Sequence, residues 1–113
     1  MYTTTHLMDD TCVVAAQAPA GAIDPGDLEK ALSEALHLAT SIVLDLSDVD
    51  RICPRSLRVI LEANHRIWRR RGCFALVVPE GKVRRIIEHA RLNWSLDIFN
   101  SSGAAVRCLH EAA

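Results

Sequence analysis

The sequence predicts an α/β fold: a mixed, mostly parallel sheet of four to five strands with four helices, in the order ββαβαβαβα. Three features predict it. Residues 42–46 and 73–78 are almost wholly apolar, which suits strands buried on both faces rather than half-wetted ones. Residues 54–71 lie between them with apolar side chains at helical spacing, and a strand–helix–strand run of this length is a parallel, right-handed βαβ unit. The first sixteen residues hold two short β-like runs separated by Asp9-Asp10, the pattern of a hairpin. At 113 residues the chain is long enough for one real core, so residues 1–113 are expected to form a single domain.

Taken in order, residues 3–8 suit a short edge strand, Asp9-Asp10 a turn, and residues 11–16 a second, antiparallel strand. Pro19-Ala20-Gly21 is expected to break the pattern. Asp24 is a good N-cap, with Pro25 at the first helical position and Asp27 in the first turn. Leu28, Ala31, Leu32, Ala35, Leu36 and Ala39 then recur at helical spacing and define an amphipathic helix. After strand 42–46 comes a polar turn, Ser47-Asp48-Val49-Asp50-Arg51, and then Ile52-Cys53-Pro54. Pro54 fits the first position of a helix, where its missing N–H would have no intrahelical partner, and it holds Cys53 extended.

The helix from Pro54 is expected to turn Leu57, Ile60, Leu61 and Trp68 inward, flanked by Val59, Ala63 and Ile67. Arg58, Glu62, Arg66, Arg69 and Arg70 fall on the rest of its surface, and Gly72 reads as the C′ residue that ends it. Strand 73–78 stops at Pro79. Residues 82–92 read as a helix with Val83, Ile86, Ile87 and Ala90 inward, and residues 96–99 as a short last strand. Ser101 or Ser102 caps a final helix that buries Ala105, Val106 and Leu109.

Composition narrows the function classes. Half the residues are apolar (50%) and 24% are charged, as in ordinary globular domains. No apolar run approaches the roughly 20 residues that span a bilayer, and the N-terminus lacks a secretory signal pattern, so a cytoplasmic location is expected. Cys12, Cys53, Cys73 and Cys108 form no CxxC pair and read as reduced, buried small residues, with no metal site and no cofactor implied. The net charge of −1 is divided unevenly: residues 1–50 carry nine acids and one base, residues 51–113 twelve bases and five acids. Such a split suits either a docking surface or two solvated faces that compensate each other. Arg69-Arg70-Arg71 has no interleaved aromatics for stacking bases, so nucleic-acid binding is not expected. His37, His65 and His89 share no ligand spacing and are given no role.

Several local sequences, in this order, resemble the STAS domain of anti-sigma factor antagonists (anti-anti-sigma factors) over nearly the whole chain. Gly21-Ala22-Ile23-Asp24 is similar to the family's Gly-Glu-Leu-Asp turn before the first helix. Residues 42–49 (IVLDLSDV) are similar to its "vvlDLsgv" strand and loop, residues 71–79 (RGCFALVVP) to "rGgrlvLvnp", and residues 83–92 to "vrrvLeltgl". The resemblance implies a STAS-like fold and a bacterial, non-catalytic protein-interaction module in transcription regulation. Its partner would be an anti-sigma factor that is also a histidine-kinase-like protein.

In members that switch, the loop carries Asp-Ser-Ser-Gly or Asp-Ser-Thr-Gly, and the kinase phosphorylates the serine after the aspartate. That serine sits at a helix N-terminus, where N–H groups and the dipole accommodate phosphate. About two added negative charges then eject the partner. Here the corresponding residues are Cys53-Pro54-Arg55-Ser56. Pro54 stands at the phosphoacceptor position, Cys53 replaces the aspartate and Ser56 the glycine. The resemblance therefore implies a degenerate member that docks through residues 48–61 without the usual switch. Its partner-binding loop would be Asp48, Asp50, Arg51, Cys53, Pro54, Arg55, Ser56 and Arg58. Ser56 is the candidate for a displaced phosphoacceptor, or else an N3 serine bonded within the first turn.

Other readings fit the same residues. One is a STAS subunit of a lipid ABC transporter, docked on its ATPase. Another is enzymatic: Cys53 to Arg58 has the C-x4-R spacing of rhodanese-like sulfurtransferases, whose loops cradle an anion beside a low-pKa cysteine. That loop has no glycine here, Pro54 removes a donor, and Cys53 lies well beyond the strand, so no catalytic residue is assigned. Cys53 reads either as a redox-sensitive thiol, favoured by a helix N-terminus with Arg51, Arg55 and Arg58 nearby, or as a cysteine filling space under the helix. Asp45 reads either as a support for the loop or as a plain strand-end carboxylate. A homodimer is compatible with the sequence.

Overall fold

The computed structural model describes residues 2–8, 11–91 and 96–112. The described strands form one sheet in the order β1-β2-β3-β4-β5, the same as their order in the chain. β1 (Tyr2–Met8) lies antiparallel to β2 (Thr11–Ala22), while β2, β3 (Ser41–Arg51), β4 (Cys73–Val77) and β5 (Asp97–Phe99) are parallel. The helices are α1 (Pro25–Leu38), α2 (Pro54–Arg69), α3 (Lys82–His89) and α4 (Ser102–Ala112). The fold class read from the sequence is the one found, including the parallel β3–α2–β4 unit.

Strand alternation divides the core in two. Cys12, Val14, Ile42, Leu44, Phe74 and Leu76 face the layer made by α1, α2 and α3. Val13, Val43, Ala75 and Val77 face the other way, onto Ala105 and Leu109 of α4. Three crossovers that each advance one strand with the same hand must lie on the same face, which leaves the opposite face to α4. Among the described residues, no helix is long and apolar enough to cross a membrane.

Four expectations are corrected. First, Ser47–Arg51 is not a turn: β3 continues through it, with Asp48 opposite Gln17, Val49 opposite Ala18 and Arg51 opposite Ala22. Nor does Pro19-Ala20-Gly21 end β2. Two register shifts absorb the irregularity, one between Ala15 and Gln17 and one between Ala18 and Ala22, and bulges of this kind tolerate a proline that cannot donate to the ladder. Leu46, Val49 and Ile52 are buried beneath the extension and hold it down.

Second, α2 is rotated from the expected setting. Its buried line is Ser56, Ile60, Ala63 and Ile67, with Leu57, Val59 and Leu61 half-buried. Trp68 is 69% exposed. Third, α2 ends two residues early, and the left-handed residue is Arg71 (φ 59), not Gly72. Gly72 is needed for a different reason: a Cβ there would lie 2.0 Å from the Thr40 carbonyl oxygen and 2.7 Å from Ile67 Cγ1. The chain passes so close because the Cys73 N–H donates to that same carbonyl at 3.1 Å. Fourth, α3 ends at His89, and only Val83 and Ile87 are buried, Ile86 and Ala90 being exposed.

The last strand runs from Asp97 to Phe99. Ser101 caps α4, its hydroxyl accepting from the Ala104 N–H at 3.2 Å. Val106 in α4 is half-buried. The expected turn at Asp9-Asp10 lies outside the described residues.

Candidate functional site

The start of α2 is built from three distant pieces of chain. Cys53 occupies the N-cap position in extended conformation (φ −94, ψ 163), and Pro54 is the first helical residue. Ser56, one turn on, is completely buried. Its hydroxyl lies 3.4 Å from the Ile23 carbonyl oxygen, to which it donates, and 3.4 Å from Cys53 Sγ. The Ile23 N–H in turn donates to the Arg51 carbonyl at 3.4 Å. Ile23, just before α1, is therefore held by both the end of β3 and the first turn of α2. Ser56 thus bonds both within the first turn, to the Cys53 thiol, and outside it, to the Ile23 carbonyl.

Around this buried knot stands an exposed rim. Asp48, Asp50 and Arg51 project from the end of β3, and Pro54, Arg55 and Arg58 from the start of α2, while Cys53 is half-buried between them. The structure thus brings together the whole predicted loop except Ser56, which points inward. Residues 54–58 are helical, so the C-x4-R segment does not curl around an anion as a loop would.

Asp45 supports the strand from the other side. Its Oδ1 accepts from the Ser47 N–H at 2.9 Å and from the Ser47 hydroxyl, and its Oδ2 accepts from the Ser102 hydroxyl at 2.8 Å. The carboxylate ties β3 to α4. A cleft of about 190 Å³ beside the rim is lined by Leu46, Val49 and Asp50 of β3, by Glu80 and Gly81 before α3, and by Lys82 at its start. Sequence reasoning did not place that second segment here. Its signal was Pro79-Glu80-Gly81, a turn in which Gly81 takes a φ of 154 that suits glycine.

The STAS domain family model matches residues 3–105. This chain belongs to the STAS domain family. Two solved structures of similar extent are a putative anti-sigma factor antagonist from Thermotoga maritima (24% identity, TM-score 0.82, covering 96% of this chain and 94% of that one) and an anti-sigma factor antagonist from Mycobacterium paratuberculosis (21% identity, TM-score 0.85, covering 96% and 93%). A third is the Bacillus cell fate determinant SpoIIAA in its phosphorylated form (14% identity, TM-score 0.68, covering 95% and 99%). The sequence matches no curated protein.

In this STAS domain the Cys53 thiol is lowered from the ordinary range. The first cause is the Ser56 hydroxyl and the second the Ser56 backbone N–H; the Arg55 N–H contributes less, and partial burial opposes them. The neighbouring arginines, which the sequence suggested, are not among the causes. The neutral thiol makes no capping hydrogen bond, yet the helix N-terminus favours the sulfur's charged form. Of the four cysteines expected to be buried only Cys12 is, Cys53 and Cys73 being half-buried and Cys108 exposed on α4, and burial pushes the Cys12 thiol up. Among the described residues, no group of three or more His, Cys, Asp or Glu side chains is placed to hold a metal ion.

Proposed function

We propose that this STAS domain is a non-catalytic anti-sigma factor antagonist that acts in the cytoplasm as a single module. It would dock a kinase-like anti-sigma factor through residues 48–61, without the serine phosphoswitch. The carrying observation is the arrangement at the start of α2: an exposed rim of Asp48, Asp50, Arg51, Arg55 and Arg58 surrounds a buried serine. Pro54 has no hydroxyl to modify. Ser56 has one, but it is sealed beneath the helix, where a phosphate would be a buried charge of high cost. The off-state that charge at this helix end creates in switching members is thus unavailable, and binding is constitutive or governed elsewhere. The shared fold with anti-sigma factor antagonists over nearly the full chain supports this reading.

Residues 51–91 carry eleven bases and three acids, which steers an acidic partner surface toward this side and makes association salt-dependent. The partner is to be captured by pull-down from the native cell and identified. Arg55→Glu with Arg58→Glu is expected to weaken that complex by about 1–3 kcal/mol with folding intact. Arg69→Glu, at the far end of α2, serves as the control and is expected to change little. Arg70 is unsuitable for that purpose because its Nη1 donates to the Leu36 carbonyl at 2.7 Å and ties α2 to α1. Equal effects of the loop pair and Arg69 across several salt concentrations would remove the loop as the docking site. Stoichiometric phosphate on Ser56 after incubation with the partner kinase and ATP would restore the switch in a shifted register.

A further inference from the structure

The outward surface of the helix layer carries two unused stripes. On α1, Asp27, Glu34 and Leu38 recur at i, i+7 and i+11, and all three are exposed, Leu38 by 58%. On α2, Arg58, His65 and Arg69 recur at the same spacing and are exposed, with Trp68 beside them at 69%. Asp27, Glu34, Arg58 and Arg69 make no ion pair with any described residue. The largest exposed apolar side chains of the layer, Leu38 and Trp68, both stand at the C-terminal ends of their helices.

The two helices run the same way, because each leads from one parallel strand to the next. The bond from Arg70 to the Leu36 carbonyl keeps their ends level. We propose that a second copy of this chain covers this face through a two-fold axis parallel to the helices. Such an axis lays each α1 on the partner's α2 with like ends together. Leu38 then meets Trp68, and Glu34 meets the His65–Arg69 turn. The acidic stripe has its complement on the same molecule, beside it but not facing it, and a two-fold operation is what brings the two face to face. The contact is isologous, so every pair occurs twice and the assembly closes at two copies. A large exposed tryptophan flanked by arginines has the composition of an interface anchor.

Sedimentation of the purified chain over a concentration series tests this. The wild type is expected to form a dimer that weakens as salt is raised, because its charge pairs lie at the rim. Glu34→Lys and Arg69→Glu are each expected to weaken it at least tenfold, since one substitution places two like-charge contacts in the dimer. An equimolar mixture of the two variants is expected to recover dimerisation, because in the mixed pair each introduced charge faces one of opposite sign. Circular dichroism and thermal melting establish that each variant is folded. A wild type that stays monomeric up to about 1 mM, where association is worth only about 4 kcal/mol, overturns the proposal. So does a dimer indifferent to both reversals, which would place the contact elsewhere, for instance on the β1 edge. A mixture that fails to recover also overturns it. The readout is self-association alone, so it stands apart from capture of an anti-sigma factor.

Discussion

α1 and α2 open on the same pattern, a proline in the first turn behind an extended residue, and differ in what the extended residue does. Asp24 accepts hydrogen bonds from the Gly26 and Asp27 N–H groups at 2.8 and 3.1 Å. Cys53 accepts none. The far ends differ as well. α1 runs out into an extended Ala39, whose N–H still donates to Ala35. α2 stops through a left-handed Arg71 and a glycine pressed against Thr40. α1 is thus secured by its own side chains, whereas α2 is secured by packing and by contacts to remote backbone. The first turn of α2 therefore lacks the side-chain acceptor that the first turn of α1 has.

The sharpest way to break this contrast is at Gly72. Gly72→Ala places a methyl group within van der Waals overlap of a backbone carbonyl, and is expected to cost about 3 kcal/mol or more in a denaturant titration. Unchanged stability would show that the β4 entry can shift without penalty and that α2 is not held there.

A smaller effect separates the two caps. Asp24→Ala is expected to lose about 1 kcal/mol, the usual worth of an N-cap, while Cys53→Ala loses much less on that account. Cys53→Asp supplies the missing cap and is expected to gain about 0.5–1 kcal/mol. Equal losses at Asp24 and Cys53 would mean that the thiol contributes as much as the carboxylate.

The smallest effect is a pH dependence. Because the Cys53 thiol is lowered in the folded protein, its alkylation by iodoacetamide is expected to reach half its maximal rate below the ordinary thiol range. Ser56→Ala is expected to move that midpoint upward, and Cys12, buried and raised, to stay unreactive. The linked stability is present at pH above the unfolded thiol's value and is lost as pH falls through the folded one. A midpoint unmoved by Ser56→Ala would assign the lowering to the backbone alone.

What could be read from the sequence was local. The apolar runs of β3 and β4, the Asp24-Pro25 and Cys53-Pro54 starts, and the repeat along α1 each carry their cause within a few residues. What could not be read had its cause elsewhere in the chain. Ser47–Arg51 looks like a turn because its polar residues surround a single valine, and it becomes strand because β2 extends beside it to Ala22. Ser56 looks like a surface or first-turn serine and is buried because Ile23, 33 residues earlier, offers a carbonyl. Gly72 fits a local capping rule, while the constraint comes from Thr40. At the candidate site the identities of the rim residues were legible, but the inward turn of Ser56 was not.

Ile23 has a mechanical consequence. Its carbonyl receives the Ser56 hydroxyl and its N–H reaches Arg51, and the next residue, Asp24, caps α1. The tip of one helix is thereby pinned to the tip of its neighbour through a single peptide unit on either side. A load placed on the first turn of α2 cannot be taken up there alone; it is transmitted to the root of α1 and to the last rung of β3. The whole end of the domain responds as one stiff plate, and slowed amide exchange at Gly26 and Asp27 would register an object pressed against Arg55.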